Sequence, residues 1–380
     1  MMDRSSPATL GENPGPELSI IIPARNEEAN LGACLESLNA QTGVDFEIIV
    51  IDDASTDRTR EIALSFPRVQ VISPEPLSAD LLSAGRTPNQ RTGKNNALIA
   101  GTQHARAPRL LFTDADTIHQ PGSLGRALHE ATREQADLLS YSPQQVVVTF
   151  AERAVMPVVF AELAVRYPPH KVRDQDSGIV AANGQYILVR RAAYEAVGGH
   201  AAVATEILED VALARLFRDA GQRVYFRYGG DAVRTRMYRN WAQLREGWTK
   251  NLALLFPQSE FLIYESLALW LVAWSSLAIA VAGAVTQHFT WILSAVFPLL
   301  VYRRIRAAHF ETANNLIAML FGLPIFAYLL RRSTNAFRNG QVFWKGRKYD
   351  VSPAPTNAPA GIRTAKPIPE PESQKLRTKN

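Results

Sequence analysis

The sequence predicts an α/β domain on a mostly parallel sheet, followed by membrane-embedded helices. Three observations carry this. From Leu18 to about Phe226, apolar runs of strand length alternate with stretches of helical period. Several of those apolar runs end in carboxylates. Beyond Leu255, long runs almost free of charge appear, and arginines stop them.

In chain order, residues 1–16 are polar and rich in Ser, Pro and Gly. They read as a disordered lead-in, neither a signal peptide nor a span. LSIIIPA, 18–24, is a fully apolar strand, and NEEANLGACLESLNAQ follows with helical period and carboxylates expected in its first turn. FEIIVIDDAS is the second strand, and STDRTREIALSF the next helix, with Ser55 or Thr56 as N-cap. VQVIS is a short third strand. Residues 74–92, with no period and many Pro, Ser, Gly and Asn, read as a mobile loop. KNNALIAGTQHA is then a helix and RLLFTDAD the fourth strand. Further on, Glu209 and Asp210 open an amphipathic helix whose Val211, Leu213, Leu216 and Phe217 recur at helical spacing.

Three apolar stretches follow, at 261–285, 288–302 and 313–330. The first contains one charge, Glu265, and is long enough to span a bilayer. The second is stopped by Arg303, Arg304 and Arg306, the third by Arg331 and Arg332. Each alone has a buried core helix as its alternative. Three full crossings would carry the last arginines away from the side of the α/β domain, against the positive-inside rule, so two spans plus one partial insertion are expected, with FGLP as the break. From Val351 the chain is Pro-rich and polar, a disordered tail. The expected divisions are 1–16, 17–255, 256–332 and 333–380.

The net charge of +5 comes largely with basic residues beyond position 300, beside apolar runs. That pattern points to a membrane surface and away from nucleic acid. The single cysteine, Cys34, excludes an intramolecular disulfide and any cysteine-based zinc site.

The acidic strand ends carry the chemistry. Asp114 and Asp116 flank Ala115, and in an extended strand they share a face. Like charges so placed need a cation or a donor network, and oxygen ligands of this type suit Mg²⁺ or Mn²⁺ together with substrate phosphates. The alternative is a surface turn before a helix cap. Asp52 and Asp53 end a second core strand, where open α/β sheets bind ligands, with helix capping as their alternative. Asp210 at a helix start is stabilised by the dipole, and is also where a general base could stand.

Taken together, IIPARNEE, VIDDASTDRT, GKNNAL, FTDADT and ILEDVALA, in this order, resemble the inverting glycosyltransferases of family 2, which have a GT-A fold. The resemblance covers roughly residues 17–250. The trailing apolar stretches and VFWKGRKY resemble the membrane-bound subgroup acting on carotenoid or hopanoid-type lipids. It implies that Pro23, Ala24, Arg25 and Glu27, with Asp52 and Asp53, hold the nucleoside, and that Lys94 lies near the diphosphate. It also implies that Asp114 and Asp116 engage the donor and its metal, Mg²⁺ or Mn²⁺, and that Asp210, beside Glu209, is the catalytic base. A solvated lysine is the alternative for Lys94. One departure is visible: where relatives carry Gln-x-x-Arg-Trp, this chain offers Gln243, Arg245 and Trp248 at another spacing, with Lys250 nearby. An interfacial amphipathic helix is the competing account of that segment.

The expected function is therefore transfer of one sugar from a nucleotide-sugar donor, a UDP-sugar first, to a hydroxyl or carboxyl of a hydrophobic or lipid-linked acceptor. The expected site is the inner membrane, multi-pass, with the α/β domain in the cytoplasm. A polysaccharide synthase of the same family and an inactive membrane scaffold are the alternatives. A nucleotidyltransferase is disfavoured because PARNEE lacks the glycines of a phosphate loop.

Overall fold

The computed structural model describes residues 15–74, 93–344 and 347–350. The expected lead-in, nearly all of the expected 74–92 loop, and the tail from Val351 lie outside the described residues. Ten strands form the main body: β1 (Leu18–Ala24), β2 (Phe46–Asp52), β3 (Val69–Ile72), β4 (Arg109–Thr113), β5 (Thr117–His119), β6 (Leu138–Ser142), β7 (Gln144–Gln145), β8 (Tyr186–Arg190), β9 (Val224–Tyr228) and β10 (Val233–Thr235). Seven of them make one sheet in the order β3-β2-β1-β4-β8-β6-β9. Only β8 runs antiparallel to its neighbours; the other pairings are parallel. The expected α/β class thus holds.

The apolar strands follow from burial on both faces. In β1, Ile20 and Ile22 join one core layer while Ile21 joins the other, as a two-residue alternation demands. The main helices are α1 (Leu31–Asn39), α2 (Gly93–His104), α3 (Phe150–Arg166), α4 (Glu209–Asp219), α5 (Trp241–Leu255), α6 (Ser259–Thr286), α7 (Val296–Arg306) and α8 (Thr312–Arg338). α1 buries Leu31, Cys34, Leu35 and Leu38, one helical stripe.

Three local expectations are corrected. The first turn of α1 holds no carboxylate, because Glu27 lies before the helix, where its Oε2 accepts from Asn30 Nδ2 at 2.7 Å. The helix after β2 begins at Thr59 rather than behind Ser55 or Thr56; Ser55 N instead donates to Asp52 Oδ1 at 3.2 Å, closing the turn that ends the strand. β4 stops at Thr113, so Asp114 and Asp116 lie in the turn to β5 and not on a pleat. Thr117 Oγ1 donates to the Asp114 carbonyl at 2.7 Å and holds that turn.

Among the described residues, two helices are long and apolar enough to cross a membrane, α6 and α8. Only 17% of the most apolar part of α6 is buried, against 56% for α8, which packs between α5 and α6. The 288–302 stretch is not one helix: it runs as Phe289–Ile292, a 3₁₀ turn, and then α7. FGLP does not break α8. Pro324 has no N–H for the Leu320 carbonyl four residues back, the helix widens to a π turn over Ala318–Gly322, and the indole N–H groups of Trp270 and Trp274 donate to that carbonyl at 2.8 and 3.0 Å.

Ion pairs register these helices. Arg304 on α7 meets Glu265 on α6 at 2.7 Å and Glu162 on α3 at 2.9 Å. Arg331 and Arg338 on α8 both meet Glu260 at the start of α6, at 2.9 and 2.8 Å. The basic ends of α7 and α8 therefore gather at the same end of α6.

Candidate active site

The acidic turns open into one cavity of about 1040 Å³. Its wall includes Pro23, Ala24, Arg25 and Glu27 from the end of β1 and the loop after it, Asp53, the turn residues Asp114 and Asp116, Lys94 on α2, and Glu209 and Asp210 at the start of α4. Gln243, Trp248 and Lys250 on α5 line it too. Asp52 and Arg245 do not. The Asp52 carboxylate, nearly buried, accepts the Ser55 N–H and faces Arg60 at 3.8 Å, while Asp53 is reached by Arg25, whose Nη1 also donates to the Asp53 carbonyl at 3.0 Å.

Lys94 is the hub. Its Nζ lies 2.9 Å from Asp114 Oδ1 and 3.0 Å from Glu209 Oε1, bridging two segments about a hundred residues apart in sequence. Burial by itself would lower the Lys94 ammonium, but the two carboxylates hold it well above its ordinary value. Burial likewise would raise Glu209, yet the charges of Lys94 and Lys250 hold it below the usual carboxylate range. The Lys250 ammonium is lowered by burial, which its carboxylate neighbours only partly offset.

Asp210 has the opposite fate. Burial, and then the negative charge of Glu209, push its carboxyl up to about 6. Two backbone donors fix its orientation: Gly184 N to Oδ2 at 2.9 Å and Val211 N to Oδ1 at 2.8 Å. A Cβ at Gly184 would sit 3.1 Å from Lys94 Nζ and 3.5 Å from Asp210 Oδ2, so a side chain there would press on the ammonium. Two adjacent carboxylates thus differ, one held ionised beside ammonium groups and one poised to exchange a proton near neutrality.

Sequence reasoning missed Gly184, although AANGQ precedes a strand and a glycine next to a polar turn signals close backbone approach. It also missed Arg239, which donates through Nη2 to the Ala29 carbonyl at 2.9 Å and so ties the segment before α5 to the start of α1. Trp248 offers little open stacking face: the residue is 2% exposed and packs against Phe160 and Tyr238 at centroid distances of 6.3 and 5.9 Å.

The cavity thus lies beside the acidic turns that follow strands of an open, mostly parallel sheet, where α/β domains bind their ligands. Residues 19–198 match the model for Glycosyl transferase family 2. That stretch of the chain is thus similar to a family 2 glycosyltransferase domain. It is 28% identical over 344 residues to the 4,4'-diaponeurosporenoate glycosyltransferase of Staphylococcus aureus (strain USA300), covering 88% of each chain. Among solved structures, it is similar to a mannosyltransferase from Pyrobaculum calidifontis in complex with GDP-Man and Mn²⁺, with a TM-score of 0.46, 15% identity, and coverage of 85% of this chain and 87% of that one. It is also similar to glucosyl-3-phosphoglycerate synthase from Mycobacterium tuberculosis in complex with Mn²⁺, UDP and glucosyl-3-phosphoglycerate, with a TM-score of 0.40, 21% identity, and coverage of 63% and 80%.

Proposed function

We propose that this protein is a membrane-bound, inverting, metal-dependent glycosyltransferase that moves a single sugar from a nucleotide-sugar donor, a UDP-sugar first, to a lipid or lipid-linked acceptor. The observation that carries this is the common cavity, in which the loop after β1, the Asp114–Asp116 turn, Lys94 and Asp210 meet and which continues onto an apolar wall. In this assignment Pro23 to Glu27 and Asp53 bind the nucleoside, Asp52 props their turn, and Gln243 and Trp248 border the acceptor side; Arg245, off the cavity wall, has no contact role.

The metal assignment rests on the donor set. Among the described residues no group of three or more His, Cys, Asp or Glu is gathered to cage an ion, so an ion here needs oxygens from the donor diphosphate. Mg²⁺ and Mn²⁺ bind in that shared way, through one or two carboxylates plus phosphates. Asp116 would hold it with Asp114, whose Oδ1 already faces Lys94. When bound, the ion would supply Lewis-acid stabilisation of the departing diphosphate.

The chain's own residues supply the rest. Lys94 brings a permanent positive charge to the side where the diphosphate leaves, and Glu209 and Asp114 keep it pointed there. Asp210 takes the proton of an acceptor hydroxyl at Oδ1 or Oδ2, and its raised pKa makes it a better base than an ordinary aspartate while leaving it mostly ionised at neutral pH. Attack on the face opposite the leaving diphosphate inverts the anomeric centre. The basic ends of α7 and α8, gathered beside the start of α6, fit an inner-membrane face turned toward the cytoplasm, where the donor is made.

Membranes containing the protein, incubated with a panel of nucleotide sugars and a lipid extract with and without Mg²⁺ or Mn²⁺, test this. A glycosylated lipid is expected with one donor, abolished by chelation and by Asp116→Asn. No product with any donor, or full activity after chelation, would sink the assignment.

A further inference from the structure

α3 is a mostly buried helix, with Ala154 to Val159, Ala161 and Glu162 closed off from solvent. Three residues in its second half, and the one that caps it, behave differently. Phe160, Leu163, Ala164 and Tyr167 are only half-buried because they face the cavity, and their spacing of three and four is one helical face. Opposite them stand Leu255 at the end of α5 and Phe310 in the connection between α7 and α8. Phe160 meets Phe310 at 6.2 Å between centroids. The hydroxyl of Tyr167 donates to the Leu255 carbonyl at 3.2 Å, so its polar atom is satisfied and its ring serves as apolar wall.

The cavity is therefore polar where Lys94, Asp114 and Asp210 meet and apolar along α3. Its volume is at the upper end of the roughly 300–1,000 Å³ usual for a single small-molecule site. There is room for a second ligand, and the apolar face runs for roughly 10 Å along α3. The far wall belongs to the segment joining α7 to α8, the two helices that pack on the lipid-type helix α6.

We propose that this face of α3, with Leu255 and Phe310, is the binding arm for the hydrocarbon chain of the acceptor, an amphiphile whose reactive head reaches Asp210 while its tail lies along Phe160, Leu163, Ala164 and Tyr167. This rests on the lipid-acceptor assignment above and adds where the tail lies. The occupant is argued from a cavity that is charged at the chemical end and apolar at the other. Phe160, Leu163, Ala164 and Tyr167 are positioning and specificity residues.

The test is photolabelling of the full chain in lipid nanodiscs with a hexadecyl alcohol that carries a diazirine at its tail. Label is expected on the peptides holding 160–167 and 307–310. Ala164→Phe, which fills the arm, should reduce that label about tenfold or more, the cost of crowding an apolar pocket. Val165→Phe, on the exposed side of the same helix, should leave it unchanged and controls for folding. Label confined to α6, or equal labelling of Ala164→Phe and wild type, would overturn the arm. Because labelling needs no donor, it is separable from sugar transfer: glycosylation of a lipid without label in the arm refutes only this inference, and label in the arm without any transfer refutes only the assigned activity.

Discussion

Replacing Asp210 by Asn tests the centre of the mechanism, because it should make the protein more stable and less active at once. The substitution keeps shape and removes one buried negative charge beside Glu209. In the folded state the Asp210 carboxyl is raised to about 6 from an ordinary 3.8. A raised carboxyl favours folding only while protonated: the two states take up protons alike below about pH 4, and stability is lost as pH rises through about 6. At pH 7 the cost of ionising Asp210 in place is about 2–3 kcal/mol. Asp210→Asn should relieve most of this, for a melting temperature higher by about 5 °C at pH 7, with the difference closing below pH 4. Transferase activity should fall about 10²–10⁴-fold, the usual worth of a general base. In the wild type, the acidic limb of the rate profile should show an apparent pKa near 6 that belongs to the Glu209–Asp210 pair jointly. Thermal unfolding at pH 4 and 7, with initial rates over the same range, measures both. A variant less stable than wild type at pH 7, or one as active, would refute the assignment.

Lys94→Met should lower activity and, by leaving Asp114 and Glu209 without their shared ammonium, destabilise the fold by about 3–5 kcal/mol at neutral pH; unchanged thermal stability would count against that cause. Gly322→Ala places a methyl 2.0 Å from the Ala154 carbonyl oxygen, so α8 must back away from α3 at a cost of about 1–3 kcal/mol; unchanged thermal stability would show that the close approach is not needed. Asn339→Cys reports on which side α8 ends. Cys34 is buried and its thiol is pushed up to about 12 by burial, so it gives little background with a membrane-impermeant maleimide. Labelling of residue 339 from the side of the α/β domain is expected, since Arg338 pairs with Glu260 at the start of α6; labelling only from the other side would mean that α8 crosses.

Alternation of apolar and helical-period segments was enough to place the first four strands and the helices between them, since a strand buried on both faces has to be apolar throughout and β1 and β2 are. The acidic positions were also legible, because carboxylates ending apolar runs are conspicuous in composition alone. The reason offered for Asp114 and Asp116 did not survive. A pleat was to put them on one face; a turn held by Thr117 does so instead, because β4 stops at Thr113. Turn geometry depends on side-chain hydrogen bonds that periodicity does not encode.

What the sequence by itself determined is the fold class, the inventory of acidic residues and the existence of apolar helices, all of which follow from local pattern. Tertiary structure alone decided which carboxylate is held ionised and which is raised toward neutrality, for that depends on Lys94 arriving from α2 between Asp114 and Glu209. It also decided that α3, unremarked in the sequence, joins the candidate site's cavity to the long apolar helices, and that the arginines ending α7 and α8 meet at Glu265 and Glu260. Distances between segments far apart in the chain set those outcomes, and one-dimensional pattern carries no record of them.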